Sequence, residues 1–366
     1  MSERKVKIGI IGCGGIAKSK HYPALKKMDD VEIVAFCDII EERATALKDA
    51  YMDLRGIDAK VYTDYKELLK DESIEAVHVC TPNRSHSFIT IDALRAGKHV
   101  LCEKPMAKTA EEAREMVKVA KETGKILSIG YQNRYRPDSQ YMKAACENGD
   151  LGDIYYAKAH AIRRRAVPTW GVFLNEYEQG GGPLIDIGTH ALDLTLWMMN
   201  NYKPKMVVGQ TFKKIPGGKG TGNAWGDWKE DEFTVEDSAF GFVVMENGAV
   251  ISLESSWALN TLDVIEAKTT LCGTKAGADM RDGVRINGVK YGKQYVEQPS
   301  MSSGGAAFFE GVSGGEPQDI EARVFYNAVK DGTPLCVLPE QALVVTEILE
   351  AIYTSAKTGK PVYFDN

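Results

Sequence analysis

The chain has 366 residues, enough for two domains, and its 44% hydrophobic and 26% charged residues exclude a disordered protein. A formal net charge of −6 argues against general binding to nucleic acid or an anionic membrane, since both require a basic surface. No apolar run approaches the ~18 residues of a membrane span, and the first strand is shorter than a signal-peptide core. We therefore expect a cytoplasmic protein without nucleic-acid or membrane partners.

The first third of the chain alternates short apolar strands with helical patterns. Strands are predicted at residues 6–11, 31–37, 76–80, 100–102 and 126–129, and helices at 16–27, 41–54, 65–69, 87–96 and 110–123. Continuously apolar strands are typical of a sheet that is covered on both faces. Their alternation with helices indicates right-handed βαβ units, so the sequence predicts an α/β domain with a parallel sheet.

Beyond about residue 136, strands follow one another without intervening helices. Helices are predicted at 137–148, 186–200, 319–330 and 340–357, and strands at 154–164, 206–212, 237–245, 249–257, 263–272 and 284–286. This order indicates an α+β domain, residues 131–366, with a large, open, mostly antiparallel sheet. Two glycine-rich segments, 216–232 and 299–317, are predicted loops: either surface excursions, or lids and partner-contact arms that use their Trp and Phe residues.

A dinucleotide fingerprint of the form GxGxxA joins the first predicted strand to the first helix. Gly12 permits the tight turn, Gly14 lets the backbone approach a pyrophosphate, and Ala17 allows close helix–strand packing. The helix N-terminus then faces the phosphates. We therefore predict that residues 1–130 form a dinucleotide-binding Rossmann domain.

Asp38 ends the second predicted strand, 21 residues beyond Ala17. A carboxylate in this place can accept both ribose hydroxyls and repels a 2′-phosphate, which favours NAD as the cofactor over NADP. Arg43 is either a residue that accommodates a 2′-phosphate or a solvated helix residue. The predicted cofactor contacts are Gly12, Cys13, Gly14, Gly15, Ile16, Asp38, Thr81, Pro82, Asn83, His86, Glu103, Lys104 and Asn133.

Several motifs, in the same order as in the family, resemble the Gfo/Idh/MocA oxidoreductases. They are the fingerprint, residues 81–83 (TPN) with His86, residues 103–105 (EKP), residues 184–194 (LIDIGTHALDL) and residues 355–360 (SAKTGK). The resemblance covers nearly the whole chain. It implies a Rossmann domain, a substrate domain whose open sheet often mediates homo-oligomerisation, and NAD(P)-dependent oxidation of sugar, inositol or related hydroxyls. Residues 163–165 (RRR), 170–173 (WGVF) and 180–182 (GGG) resemble the branch that acts on hexosides, some of whose members oxidise C3.

Such an oxidation needs a base for the hydroxyl proton and a group that stabilises the developing alkoxide. Lys104, at the predicted sheet edge, can hydrogen-bond the reacting oxygen; the alternative is an exposed ion pair. Asp186 and His190 are four residues apart, on one face of a predicted helix. The place of His190 in the family motif implies the general base, with Asp186 orienting it or holding the sugar; the alternative is a structural histidine. No third ligand accompanies this pair, so we predict no metal site.

Four further residues are candidates for the cleft. Asn133 and Arg134 follow the last predicted strand of the first domain, 126–129, where they either line a cleft or pack between domains. Arg163 ends a strand and either binds an anionic substrate group or forms an ion-paired edge. Trp170 either stacks on a sugar or aglycone or belongs to the core. The predicted substrate contacts are Lys104, Arg134, Arg163, Trp170, Asp186 and His190.

The leading hypothesis is an NAD-dependent dehydrogenase of a sugar or glycoside. One alternative is an NAD-dependent glycosidase, since oxidation at C3 acidifies the C2 proton and permits elimination of the glycosidic substituent. Others are an inositol dehydrogenase and a non-enzymatic nicotinamide sensor, although a sensor has no need of a base. The predicted partners are a carbohydrate or glycoside and further copies of the chain, paired through the second-domain sheet.

Overall fold

The computed structural model describes residues 4–301 and 315–364. Its strands are β1 (Val6–Ile11), β2 (Val31–Cys37), β3 (Lys60–Tyr62), β4 (Ala76–Val79), β5 (His99–Cys102), β6 (Leu127–Ile129), β7 (Ile154–Ile162), β8 (Pro204–Phe212), β9 (Ser238–Met245), β10 (Val250–Ser256), β11 (Ile265–Gly273), β12 (Ala276–Asp279), β13 (Arg285–Lys290), β14 (Lys293–Glu297) and β15 (Val362–Tyr363). Its helices are α1 (Tyr22–Leu25), α2 (Glu41–Arg55), α3 (Tyr65–Leu69), α4 (His86–Arg95), α5 (Ala110–Thr123), α6 (Pro137–Glu147), α7 (Glu176–Gln179), α8 (Thr189–Met199), α9 (Pro317–Asp331) and α10 (Pro339–Thr358). Within the described residues, none of these helices has both the length and the apolar character needed to cross a membrane.

The chain divides into two compact units, Met1–Gln132 with Gly315–Leu343, and Asn133–Gly314 with Val344–Asn366. The first boundary lies close to the predicted one. The return of residues 315–343 to the first unit differs from the predicted division into 1–130 and 131–366. The reason is packing, because Phe325 and Tyr326 of α9 are buried in the same hydrophobic core as β1 and β2.

The first unit contains a six-stranded sheet in the order β3-β2-β1-β4-β5-β6. All of its pairings are parallel, with β1 between β2 and β4. This is the doubly wound arrangement, in which the carboxyl ends of the strands form the ligand-binding edge. The predicted parallel α/β domain is therefore confirmed.

The second unit contains a nine-stranded sheet in the order β14-β13-β12-β11-β7-β10-β9-β8-β15. Only β7 and β10 pair in parallel among these strands. Residues 189–198 of α8 are all buried, as expected for a helix that is apolar all round and packed in a core. The predicted mostly antiparallel sheet is confirmed, and its buried face contacts α8 through β7 and β11.

The two predicted loops have different outcomes. Residues 216–232 form an irregular excursion between β8 and β9, as predicted. The other predicted loop, 299–317, falls mainly on residues 302–314, which lie outside the described residues.

Candidate active site

The fingerprint turn follows β1 directly and has the backbone geometry that a dinucleotide site requires. Gly12 has φ +89°, and a Cβ built there would lie 2.7 Å from the backbone carbonyl atoms of Cys80. Gly12 donates its N–H to the Cys37 carbonyl over 2.8 Å, which ties the turn to the end of β2. At Gly14 and Gly15 a built Cβ would meet no protein atom within 4 Å. The turn therefore needs glycine on its inner side and leaves open space on its outer side, where a pyrophosphate fits.

Asp38 connects the end of β2 to this turn. Its Oδ2 accepts the Cys13 backbone N–H at 2.8 Å, and its Oδ1 accepts the Ile40 N–H at 2.9 Å. Each oxygen retains acceptor capacity, since a carboxylate has about four lone-pair positions. Asp38 would therefore hold the ribose hydroxyls of NAD, whereas Arg43 is an exposed residue in the first turn of α2. Burial raises the pKa of the neighbouring Cys13 thiol to about 12, so this cysteine is a neutral part of the turn.

We expect Asp38→Ala to weaken NAD binding by about 10- to 100-fold, because a hydrogen bond to a charged group is lost. The ratio of NADP to NAD dissociation constants should fall at the same time, since the charge that repels a 2′-phosphate is removed. Titration calorimetry with both cofactors measures the two effects. Asp38→Asn is the matched control for the turn, because its amide oxygen still accepts one backbone N–H. Equal affinity of the wild-type protein for NAD and NADP would contradict this assignment.

Two loops leave the sheet edge after β4 and β5, and His86 joins them. The ring nitrogens of His86 lie 2.8 Å from the Thr81 carbonyl oxygen and 2.8 Å from that of Pro105, which follows a cis peptide bond. The His86 side chain is buried, with 1% of the residue exposed, and burial lowers its pKa. We therefore replace the prediction that His86 contacts the cofactor with a positioning role. Thr81, Pro82 and Asn83 retain partly exposed surfaces and stay candidates for cofactor contact.

Glu103, the residue before Lys104, is the centre of a buried polar network. Its Oε1 accepts from Lys20 Nζ at 2.6 Å and lies 2.7 Å from His21 Nε2, while its Oε2 accepts the Lys104 backbone N–H at 3.1 Å. Lys20 also pairs with Glu321 of α9 at 2.9 Å. Burial alone would raise the pKa of Glu103, but the Lys20 charge and the His21 hydrogen bond hold it well below its usual value. This ionised carboxylate fixes the backbone of Lys104 rather than contacting the cofactor as predicted.

The network continues from His21 to α9 as a chain of hydrogen bonds in which every donor points toward Glu103. His21 Nδ1 lies 2.7 Å from His78 Nδ1, and His78 Nε2 lies 2.6 Å from the Tyr326 hydroxyl. Burial lowers the pKa of both histidines and raises that of Tyr326, so both rings are neutral and the phenol keeps its proton. Because Glu103 only accepts, His21 Nε2–H donates to it, His78 Nδ1–H donates to His21, and Tyr326 O–H donates to His78. This network could not be predicted from the sequence, because residues such as His21 and Tyr326 lie 305 positions apart.

In the second unit, Asp186 and His190 lie on one continuous helical run. A π-helical turn, Leu184–Gly188, leads directly into α8, so the two residues are separated by about one turn. Asp186 Oδ2 accepts the indole N–H of Trp257 at 2.9 Å. His190 is buried and Asp186 is partly exposed. This geometry fits the predicted pair of a base and its orienting or sugar-holding partner.

The glycine-rich segment before this run is held by Glu236. The carboxylate accepts the backbone N–H groups of Gly182 at 2.9 Å and Leu184 at 3.2 Å, and the Tyr353 hydroxyl donates to it at 2.7 Å. A side chain at Gly181 would overlap the Tyr353 hydroxyl, so glycine is required there for close packing. These contacts fix the entry of the helical run and hence the position of Asp186.

Arg134 has a different role from the predicted one. Its Nε and Nη2 bind the two oxygens of Asp193 at 2.9 and 2.6 Å, and its guanidinium lies 5.4 Å from the Trp197 ring centroid. Arg134 is 0% exposed and Asp193 is 1% exposed. Since no guanidinium surface is accessible, we assign Arg134 to a buried structural ion pair and remove it from the substrate contacts. Asn133, in the same short turn, is partly exposed and stays a candidate.

Arg163 and Trp170 lie near each other in the second unit. Arg163 forms a bidentate ion pair with Glu266, at 2.6 and 2.5 Å. Of the two predicted roles, an anion-binding residue or an ion-paired edge, this contact corresponds to the second. Its guanidinium also lies 5.4 Å from the ring centroid of Trp225. Trp170 is 50% exposed, which excludes the alternative that it is a core residue.

The parallel sheet, the fingerprint turn and the acidic residue at the end of β2 define a dinucleotide-binding protein of the Rossmann class. Two family models match the chain: the oxidoreductase family NAD-binding Rossmann fold over residues 6–131, and the oxidoreductase family C-terminal alpha/beta domain over residues 143–364. The chain therefore belongs to the Gfo/Idh/MocA oxidoreductase family and uses NAD as its cofactor, as its motifs predicted.

Individual relatives cover the whole chain. The D-glucoside 3-dehydrogenase of Escherichia coli K12 is 35% identical over 362 residues, covering 99% of this chain and 98% of its own. The structure of the gentamicin A biosynthesis protein GenD2 in complex with NAD superposes with a TM-score of 0.76 at 26% identity, covering 100% of this chain and 98% of its own. A levoglucosan dehydrogenase in complex with NADH and levoglucosan has the same fold, with a TM-score of 0.79 at 21% identity, covering 98% of this chain and 99% of its own.

Proposed function

We propose that this protein oxidises a secondary hydroxyl of a glycoside, namely the C3 hydroxyl of a hexoside, with NAD as the hydride acceptor. The observation that carries the proposal is the full-length similarity to a D-glucoside 3-dehydrogenase, which includes the segment that holds Asp186 and His190. We also propose that it works in the cytoplasm, where an NAD-dependent dehydrogenase has access to the cellular NAD pool.

Each proposed catalytic residue has one task in this reaction. Bound NAD supplies the electrophilic nicotinamide carbon that receives the hydride. His190 accepts the proton of the substrate hydroxyl, because an imidazole is the natural base near neutral pH. Lys104 donates a hydrogen bond to the same oxygen and stabilises the negative charge that develops on it.

The surroundings of these residues support their roles. The ionised Glu103 accepts the Lys104 backbone N–H, and the buried His86 ring lies against the Pro105 carbonyl, so the backbone on both sides of Lys104 is held in place. The Trp257 indole donates to one oxygen of Asp186 and fixes the position of this carboxylate, which orients His190 or accepts a sugar hydroxyl in the proposed reaction. We keep both roles for Asp186, since each requires only an ionised carboxylate at this place.

A panel of compounds tests the proposal. The protein with NAD is incubated with inositols, free hexoses, and methyl glycosides of both anomers, while NADH absorbance and product mass are followed. We expect NADH formation with a hexoside and a product two mass units lighter. Release of the aglycone without net NADH formation would instead support the glycosidase alternative, in which the hydride returns to the product. Oxidation of inositols alone would contradict the proposal.

We further propose that the protein forms homo-oligomers through the sheet of the second unit. Phe242 is exposed, Phe240 and Val244 are partly exposed on the same face of β9, and the Phe240 ring contacts Phe212 on β8. A contiguous apolar face of this kind favours covering by another protein surface. Light scattering at micromolar concentration should give a mass above the 40.3 kDa of one chain. Phe242→Asp should shift it toward the monomer, and a wild-type protein of monomer mass would contradict the proposal.

A further inference from the structure

An exposed aromatic corner lies in the second unit and has no part in the chemistry proposed above. Trp170 and Trp225 are 50% and 44% exposed, and their ring centroids lie 4.8 Å apart with planes at 86°. Phe173 extends the patch, with its ring centroid 5.8 Å from that of Trp170. Indole surfaces of this size are usually buried in a protein or used for binding.

The corner is held in place by hydrogen bonds between its two loops. Asn223 accepts the Val167 N–H at 2.7 Å and donates to the Val167 carbonyl at 3.0 Å and the Gly226 carbonyl at 2.7 Å. The Thr169 hydroxyl donates to the backbone carbonyl of Trp225. The indoles are therefore presented by a fixed backbone, which lowers the entropy lost when a ligand packs against them.

Two sets of interactions link the segments that carry the corner to Asp186. In the first, the Arg163 guanidinium lies over the Trp225 ring. Burial opposes the charge of Arg163, but the carboxylates of Glu266 and Asp186 raise its pKa above the ordinary value. The second set runs through buried aromatic rings. Trp228 packs on Phe233, Phe233 packs on Trp257, and Trp257 donates its indole N–H to Asp186. Trp228 thus anchors residues 216–232 in the core, while Trp225 of the same segment faces outward.

We propose that Trp170 and Trp225 form a subsite for an aromatic aglycone of the glycoside substrate. Polar groups at Asp186 and His190 suit the hydroxyls of a sugar, whereas the corner offers the apolar ring faces of two half-exposed indoles. A planar ring can stack on one indole and meet the other edge to face, and both arrangements are favourable for aromatic pairs. The proposal rests on the proposed function, because it assigns the part of the glycoside that is not oxidised.

The test compares phenyl and methyl β-D-glucoside, and the corresponding α anomers, as substrates of the wild-type protein and its variants. We expect kcat/KM of the wild type to be about 3- to 10-fold higher for the phenyl glucoside of the accepted anomer, mainly through KM. Trp170→Ala and Trp225→Ala should each lower the ratio of kcat/KM for phenyl to methyl glucoside toward one, and Trp170→Phe should keep most of the wild-type ratio. Tyr291→Asn is the control, since it removes another exposed aromatic side chain at a turn residue with φ 54° that asparagine tolerates, and it should change neither activity nor preference.

The outcomes separate the two proposals. Oxidation of methyl and phenyl glucosides with equal kcat/KM, or a preference that survives in both alanine variants, would overturn the subsite and leave the proposed function intact. A stronger preference for a disaccharide such as cellobiose, lost in Trp170→Ala, would assign the corner to a sugar ring and also overturn it. If none of the glycosides is oxidised, the proposed function falls and the subsite with it.

Discussion

Replacing His190 with alanine should lower kcat by about 10²- to 10⁴-fold while NAD binds with nearly unchanged affinity. The loss is expected because the substrate hydroxyl then gives up its proton without a positioned base. NAD affinity should persist, since the fingerprint turn and Asp38 lie in the other unit. Steady-state kinetics on the glycoside identified by the panel, combined with titration of NAD, measures both quantities.

Two further measurements separate a catalytic role of His190 from a structural one. Added imidazole should restore part of the activity of His190→Ala, because a small base can occupy the space that the side chain leaves. His99→Gln is the matched control: it removes an imidazole that accepts the Ile126 N–H outside the proposed site, and it should stay close to wild-type activity. Lys104→Ala should also lower turnover, and the double variant should lose less than the product of the two single losses, since both groups act on one proton transfer. A folded His190→Ala protein with wild-type turnover would rule out His190 as the base.

The elements that carry a strong local pattern could be predicted from the sequence. β1 and β2 have the predicted bounds because each is a continuous apolar run ended by a turn signal. β3, Lys60–Tyr62, was not predicted, because a strand of three residues is too short to show an alternation of apolar and polar residues. β13 and β14 form a largely exposed hairpin, so burial does not impose the alternation on which strand prediction depends.

In the candidate site, too, the parts with a local sequence pattern could be predicted and those that depend on long-range packing could not. The fingerprint turn and the spacing of Asp186 and His190 are local, and the structure places them as local geometry requires. The support of Lys104 by Glu103, His21, His78 and Tyr326 depends on α9 packing against a core formed by residues nearly 300 positions earlier. His78 of β4 and His21, which directly precedes α1, therefore carry no recognisable signal in the sequence, and only the tertiary contacts show their role.

The buried pair of Arg134 and Asp193 leads to the second large expected effect. Asp193→Ala should destabilise the protein by about 3–5 kcal/mol, because it leaves a fully buried guanidinium without its counter-ion. Urea unfolding followed by tryptophan fluorescence measures the effect directly, since Trp197 lies against Arg134. The exposed pair of Lys290 and Glu297 provides a control in the same unit, and Lys290→Ala should leave the unfolding midpoint nearly unchanged.

The double variant Arg134→Met with Asp193→Leu decides why Asp193→Ala is unstable. A buried ion pair pays a large desolvation cost for both charges, so apolar side chains of similar volume can replace it with little net loss. The double variant should therefore recover most of the stability that Asp193→Ala loses, because no buried charge remains. A double variant as unstable as Asp193→Ala would instead show that the particular hydrogen bonds of the pair, rather than the uncompensated charge, hold this part of the second unit together.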